Sequence, residues 1–265
     1  MIILTAANKD ISKDDRGKVY KNFSFRRVIE NTINQATKFG YKPVVYDLGT
    51  LGIGRPFSVT DENFSTKGYY SNEPIKGYKS KSLFKPEMVK DSMLQDRELT
   101  VYLDGDATLN DSIDEIESDD YDLGVTLRKK SEMEGEWYEE HKDIVRYVNA
   151  GVIFFNPTDA TFDFLDKWIE VTDKLGNDQM ALNSLVCPNE LPEEYSVIDK
   201  GGVRIKFFPG EIYNYYYFDE GFNGNIKIFH FKGPVRKYFP FTKAKRFVCE
   251  YILPVRNRLV RLIKH

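Results

Sequence analysis

The chain has 265 residues, enough to bury a large core in one sizeable α/β domain or two modest ones. With 41 acidic against 38 basic side chains the formal net charge is −3, which excludes the strongly basic surface a duplex nucleic-acid binder needs. Two cysteines, Cys187 and Cys249, show neither metal-ligand spacing nor a disulfide framework, and they fit a reducing compartment, the cytoplasm by default.

The opening Ile2-Ile3-Leu4-Thr5-Ala6 is apolar without a basic leader, too short for a secretory signal, and reads as a buried strand. No stretch is long and apolar enough to span a bilayer, so a soluble protein, or one attached to a membrane surface, is expected. Phe23, Val28, Ile29, Ile33 and Ala36 recur at helical spacing, and Gly40 closes the predicted helix. A β-branched run over 42–47 makes a second strand, and a β-α-β opening implies a parallel sheet. Residues 51–80 show little periodicity and are expected to form an irregular connection over the ligand. Phe84, Met88, Val89 and Met93 predict a further helix, and 99–103 a third buried strand that ends on Asp104. After an acidic stretch, 123–127 reads as a strand, 128–146 as a charged exposed segment and 147–156 as another strand. Helices are predicted over 162–175 and from 178 to 185 and a late strand over 226–230; the last third also holds the segment 203–208, and 213–218 is rich in tyrosine. The fold class is therefore α/β, a Rossmann-like, mainly parallel sheet flanked by helices over residues 1–240.

Asp104-Gly105-Asp106 stands at the carboxyl end of a buried strand, where open α/β sheets bind ligands. Two carboxylates there can hold a divalent cation that neutralises the charge building on a leaving diphosphate, with no proton transfer. The same Asp-x-Asp pattern recurs at Asp120-Tyr121-Asp122, in an acidic stretch with no apolar strand before it. Hard cations take oxygen ligands and manganese also accepts imidazole, so His230 on the late strand is the candidate third ligand. After it, Gly233 allows close backbone approach, and Arg236 and Lys237 are cations that can face a diphosphate; the plainer reading is a turn with surface charges. Asp178 and Gln179 open a helix, and a cap by Asn177 or Asp178 explains them equally well.

Four separated motifs carry a family resemblance: Val101-Tyr102-Leu103-Asp104-Gly105-Asp106-Ala107, Val148-Asn149-Ala150-Gly151-Val152-Ile153-Phe154-Phe155-Asn156, Asn177-Asp178-Gln179-Met180-Ala181-Leu182-Asn183, and His230-x-x-Gly233-x-x-Arg236. In order and rough spacing the chain resembles glycosyltransferases of the GT-A fold, most of all family eight, the group of glycogenin and the bacterial lipopolysaccharide galactosyltransferases. The resemblance implies transfer of a sugar from a nucleotide-diphosphate donor, a UDP-sugar, to a saccharide or glycolipid acceptor, with retention of configuration. It implies Mn2+ or Mg2+ on Asp104, Asp106 and His230, a donor-sugar pocket lined by Asn149, Ala150 and Gly151, and Asp178 with Gln179 at the reacting carbon. It further implies that Thr5 and Ala6 let the nucleobase and ribose approach the first strand, with Asp47 near the base. Donor contacts extend to Gly105, Gly233 and Arg236. The sequence departs from the family in two places: Arg236 replaces the usual lysine, and Lys81-Ser82-Leu83-Phe84-Lys85-Pro86 replaces an arginine-bearing helix. Lys81 and Lys85 can each reach the diphosphate or sugar from there, although lysines flanking a helix are more often solvated.

Residues 241–265 form a basic amphipathic tail, in which seven cations (Lys243, Lys245, Arg246, Arg256, Arg258, Arg261 and Lys264) stand against the single Glu250. Pro254 is expected to start its second half as a first-turn helix residue. Two destinations suit the tail, an anionic membrane surface and docking on the domain with a solvated basic face. Two other functions share the motif. Leu103-Asp104-Gly105-Asp106-Ala107-Thr108 also fits a haloacid-dehalogenase-type phosphatase in which Asp104 is the nucleophile, though that motif normally lies on a first strand. A non-catalytic nucleotide-sugar-binding subunit is the other.

Overall fold

The structure, a computed structural model, describes residues 1–7, 23–48, 52–56, 84–221 and 225–263. Most of the connection expected over 51–80 and the candidate Lys81 lie outside these residues. Strand β1 (Ile2–Ala7) leads to helix α1 (Phe25–Lys38), which Ser24 caps by accepting the Arg27 amide, and then to β2 (Lys42–Asp47). A two-residue strand, β3 (Arg55–Pro56), pairs parallel with β2 within a segment expected to be irregular; two residues carry no readable period. Helix α2 (Lys85–Asp96), with proline in its first turn, runs into β4 (Thr100–Leu103), after which β5 (Ala107–Leu109) follows at once. Strand β6 (Leu123–Leu127), helix α3 (Glu136–Val145) and strand β7 (Val148–Phe155) come next, so the charged segment over 128–146 carries a helix as well as surface charge. Helices α4 (Asp159–Leu175) and α5 (Asp178–Val186), strands β8 (Val197–Lys200) and β9 (Val203–Pro209), the short helix α6 (Gly210–Tyr213) and strand β10 (Ile228–His230) complete the body.

Eight strands make one sheet in the order β3-β2-β1-β4-β7-β6-β9-β8, and β10 pairs with β5 in a second, two-stranded sheet. Pairing is parallel from β3 through β4 and between β6 and β9, whereas β7 runs antiparallel to both β4 and β6 and β8 antiparallel to β9. The result is the mixed, mainly parallel α/β sheet the β-α-β opening implies. Its central strands β4, β6 and β7 are buried along their whole length, hence the continuous apolar runs in their sequences. On one face Phe155 and Trp168 stack inside a core with α2, α4 and α5; on the other, α1 and the β5/β10 pair close over Leu103, Val152 and Phe154.

The tail is one continuous helical rod. Helix α7 (Lys243–Phe247) passes through a π-helical turn (Val248–Ile252) into α8 (Leu253–Ile263), so Pro254 stands in the first turn of α8 as expected, but with helix continuing upstream of it. The reason is steric: a proline ring collides with the carbonyl four residues back and offers no amide, and a widened π turn just upstream accommodates both. Cys249 and Leu253 are buried in an aromatic cluster with Phe218, Phe229, Phe231 and Phe239, and the Asn257 amide donates to the carbonyls of Asp219 and Glu220. Both cysteines are buried and free.

Candidate active site

Asp104 and Asp106 sit on the tight turn joining β4 to β5. The Ala107 amide donates to the Asp104 carbonyl (2.8 Å), and the Asp104 amide donates to the Gly151 carbonyl on β7 (2.8 Å). Because β10 pairs antiparallel with β5, with His230 opposite Ala107, and the Phe231 amide donates to the Asp106 carbonyl (2.8 Å), main-chain register alone delivers His230 to the turn. One ligand atom from each of Asp104, Asp106 and His230 can be chosen so that all lie within 4.8 Å of one another. The His230 Nε2 atom is 3.1 Å from Asp106 Oδ1 and 3.9 Å from Asp104 Oδ2.

Two features mark the cluster as a built site. A Cβ on Gly151 would stand 2.4 Å from His230 Cε1, so only glycine leaves room for the imidazole. Two oxygens and one imidazole nitrogen also suit a borderline-hard divalent ion such as Mn2+. The other Asp-x-Asp pair differs. Asp122 accepts from the Arg204 amide (2.9 Å), from its Nε (3.1 Å) and Nη2 (2.8 Å), and from Thr158 Oγ1 (3.0 Å), so its carboxylate is spent on holding β6 to β9 and α4.

Charges around the turn are arranged to hold Asp106 ionised. Burial opposes the charge on Asp106, but His230 and Arg236 more than offset it and keep the carboxyl well below the usual carboxylate range. Arg236, on the 3-10 turn Gly233–Tyr238, donates through Nη2 to Asp106 Oδ2 (2.9 Å), and its guanidinium lies 5.2 Å from the ring centres of both Phe23 and Phe25. Gly233 starts that turn at φ +56°. Arg236 is therefore a partner of the metal-motif carboxylate and not a surface charge.

Lys85 is the larger departure from the plain reading. Instead of being solvated it is 4% exposed in the first turn of α2, with its ammonium 3.1 Å from Asp104 Oδ1, 2.8 Å from Asp178 Oδ2 and 2.9 Å from the Ala150 carbonyl. A cation near a helix N-terminus opposes the helix dipole, so carboxylates from two other segments hold it there. Asn177 is the side chain that caps α5, accepting the Met180 amide (2.9 Å), which leaves the buried Asp178 carboxylate for Lys85. Gln179 Oε1 lies 3.4 Å from the Ala150 amide.

Asn149 and Asn156, at the two ends of the β7 motif, part company. Asn156 ties the strand to the carbonyls of Ser118 and Tyr121, whereas Asn149 turns toward the His230 side. Thr5 and Ala6 are both buried on β1, and the Thr5 hydroxyl has no hydrogen-bond partner among the described residues. Asp47 accepts the Gly52 amide (2.7 Å). Sequence reasoning missed Asn214, which follows α6 and accepts or donates at 2.8 Å from His230 Nδ1; a lone asparagine in a tyrosine-rich run belongs to no motif. It also missed Lys232, whose ammonium lies 3.3 Å from the Tyr216 ring centre and is pulled down to about 7 by burial and Arg128, against Glu132 and the two motif aspartates.

Residues 75–234 match the sequence model of the family described as Nucleotide-diphospho-sugar transferase. The chain belongs to that family. It is a glycosyltransferase of the GT-A fold, similar to family eight, and so a nucleotide-sugar-dependent enzyme. Among curated proteins, no sequence match was found. Among solved structures, a glycosyltransferase involved in glycosylation of the major capsid of PBCV-1 is 12% identical over 89% of this chain and 97% of its own, with a TM-score of 0.52. The galactosyltransferase LgtC, solved with donor and acceptor sugar analogues, is 15% identical over 88% of both chains (TM-score 0.46). GlyE of Streptococcus pneumoniae TIGR4 is 14% identical over 88% of this chain and 55% of its own (TM-score 0.48). Family membership removes the phosphatase reading of Asp104, as does the position of the motif on β4, the fourth strand of the chain.

Proposed function

We propose that the chain transfers a sugar, with retention, from a UDP-sugar to a saccharide or glycolipid acceptor, using Mn2+ (or Mg2+) held by Asp104, Asp106 and His230. The convergence of these three side chains from β4, β5 and β10 onto one point, flanked by Lys85 and Arg236, is the observation that carries the reading. A divalent cation bound there supplies positive charge that stabilises the leaving diphosphate.

The chain's own groups do the rest. Arg236 and Lys85 compensate the carboxylates before donor binds, and both can turn to the diphosphate or sugar when it does. Asn149, Ala150 and Gly151 line the donor-sugar pocket, with Gly105 and Gly233 giving close backbone approach. The buried Thr5 hydroxyl and Ala6 receive the nucleobase and ribose, helped by Asp47. Asp178 and Gln179 stand at the reacting carbon, and Lys85 holds the Asp178 carboxylate in place there through its 2.8 Å ion pair. Lys81 is assigned to the same donor set from the motif alone. In a retaining scheme the departing phosphate guides the acceptor onto the same face, so no side chain is required as a general base.

Residues 1–240 constitute the catalytic domain and 241–265 a basic amphipathic appendage that touches an anionic membrane surface on the cytoplasmic side. No described helix is long and apolar enough to cross a membrane. Although Cys249 and Leu253 dock the rod, Phe247, Tyr251, Val255 and Leu259 remain more than half exposed beside Lys243, Arg256 and Arg258. Exposed apolar side chains among cations suit the headgroup region of anionic lipids.

Calorimetric titration with UDP, GDP and their sugar conjugates, with and without Mn2+, tests the reaction. One nucleotide sugar should bind in a metal-dependent manner and lose that binding in Asp104→Ala; failure of every nucleotide to bind would end the reading. For the appendage, co-sedimentation with phosphatidylserine vesicles should vanish on removing residues 241–265, and unchanged co-sedimentation would refute the membrane role.

A further inference from the structure

Asn214 and His230 are held side by side by the main chain. The Tyr215 amide donates to the Ile228 carbonyl (2.9 Å), and the His230 amide donates to the Tyr215 carbonyl (2.8 Å). Both side chains are almost wholly buried, at 1% and 2% exposure. Which atom of each is donor and which acceptor follows from one fixed point, the backbone N–H of Gly151, which can only donate.

That N–H donates to the Asn149 side chain at 2.9 Å, so the facing atom is the carbonyl oxygen Oδ1. The Asn214 atom 3.1 Å from this oxygen must then be its amide nitrogen, Nδ2. Nδ2 also donates to Thr126 Oγ1 at 2.8 Å, and the threonine hydroxyl can accept because its own proton goes to the Asn149 or Val152 carbonyl (3.2 and 3.3 Å). With Nδ2 committed, Asn214 turns its oxygen to His230 Nδ1 at 2.8 Å. An oxygen there accepts only, so Nδ1 carries a proton; Nε2, 3.1 Å from Asp106 Oδ1, donates to that carboxylate while no cation is bound and is the nitrogen left to give up its proton to one.

We propose that Asn214 is the positioning residue of the metal centre, fixing His230 with its proton on Nδ1 and its Nε2 toward the two aspartates. This rests on the metal reading given above. The same amide reaches Asn149 in the donor-sugar motif, so a single side chain couples the orientation of the third ligand to the wall of the donor pocket.

Two measurements decide it. In native protein labelled with 15N-histidine, with His230 assigned from a His230→Gln variant, long-range 1H–15N spectra should show a proton on Nδ1 of His230. A neutral ring protonated on Nε2 with Nδ1 bare would overturn the proposal whatever the metal does. Second, Asn214→Leu, which keeps side-chain volume but offers no acceptor, should lose that Nδ1 proton signal and bind Mn2+ about 10–100-fold more weakly by calorimetry, with circular dichroism unchanged. A folded Asn214→Leu protein with native Mn2+ affinity and a native ring would refute the role of Asn214 alone. A native chain that takes up no Mn2+, with or without UDP, would refute the metal reading instead, and the native-ring spectrum would still judge Asn214. Should the leucine variant not fold, that native spectrum is the deciding result.

Discussion

Asp122 and Asp106 belong to the same kind of short acidic motif, yet their partners give them different work. Asp122 receives four donors from Arg204 and Thr158, and although burial works against its charge, these partners hold its carboxyl below the usual value. A depressed folded pKa contributes stability that is fully present above about pH 4, the unfolded value, and is lost as the pH falls through the folded one. Asp122→Asn should therefore cost about 1–3 kcal/mol at pH 7, discounted toward the lower end because Arg204 is half exposed, while leaving sugar transfer intact. Thermal melts against pH check this: the gap between variant and native protein should narrow below pH 4. Gly151→Ala should cost stability and function together. Its added methyl meets His230 Cε1 and Asn149 Oδ1, so metal-dependent nucleotide binding should fall by more than tenfold, with a stability cost of about 1–3 kcal/mol by calorimetry. At this scale Asp104, Asp106 and His230 were legible because carboxylates and histidine at strand ends carry chemistry on their face. Asn214 was not, since its meaning lies in a donor-acceptor chain that crosses β6, β7 and β10.

Helix α2 shows what an element adds to its residues. Its apolar spacing was readable, but the first-turn Lys85 looked like a solvated flank until the helix set it against Asp104 and Asp178. Lys85→Met should remove the cation those two carboxylates share, costing on the order of 3 kcal/mol. Turnover should fall at least tenfold even where metal still binds, and paired activity and Mn2+ titrations would separate the two. Strands of four or more buried residues announced themselves through unbroken apolar runs, as in β4, β6 and β7. The three residues of β5 and the two of β3 fell below any period, and β5 is the strand that brings His230 home. Pro254 does fall in the first turn of α8, as the sequence suggested; what a proline could not announce is that the segment before it is helical too and joins α8 through a π turn.

Across the whole molecule, the antiparallel β7 joins a parallel block from β3 to β4 with a second block built on β6 and β9. Amide exchange should rank accordingly, slowest in β4 and β7, which lie inside the sheet, and fastest in the edge strands β3 and β8; protection uniform across the sheet would contradict this. The parallel opening was legible from β-α-β alternation, but strand order beyond β2 was not, because pairing between distant segments leaves no local trace. That same distance gives the site a history during synthesis. Asp106 and Arg236 are 130 residues apart, so at roughly 5–20 residues per second the aspartate waits on the order of 10 s for its cation. Throughout that interval β5 has no partner strand and the buried carboxylate no counter-charge. The nascent chain thus carries an unfinished centre until β10 and the turn after it emerge, and synthesis halted before β10 would leave a sheet without a working site.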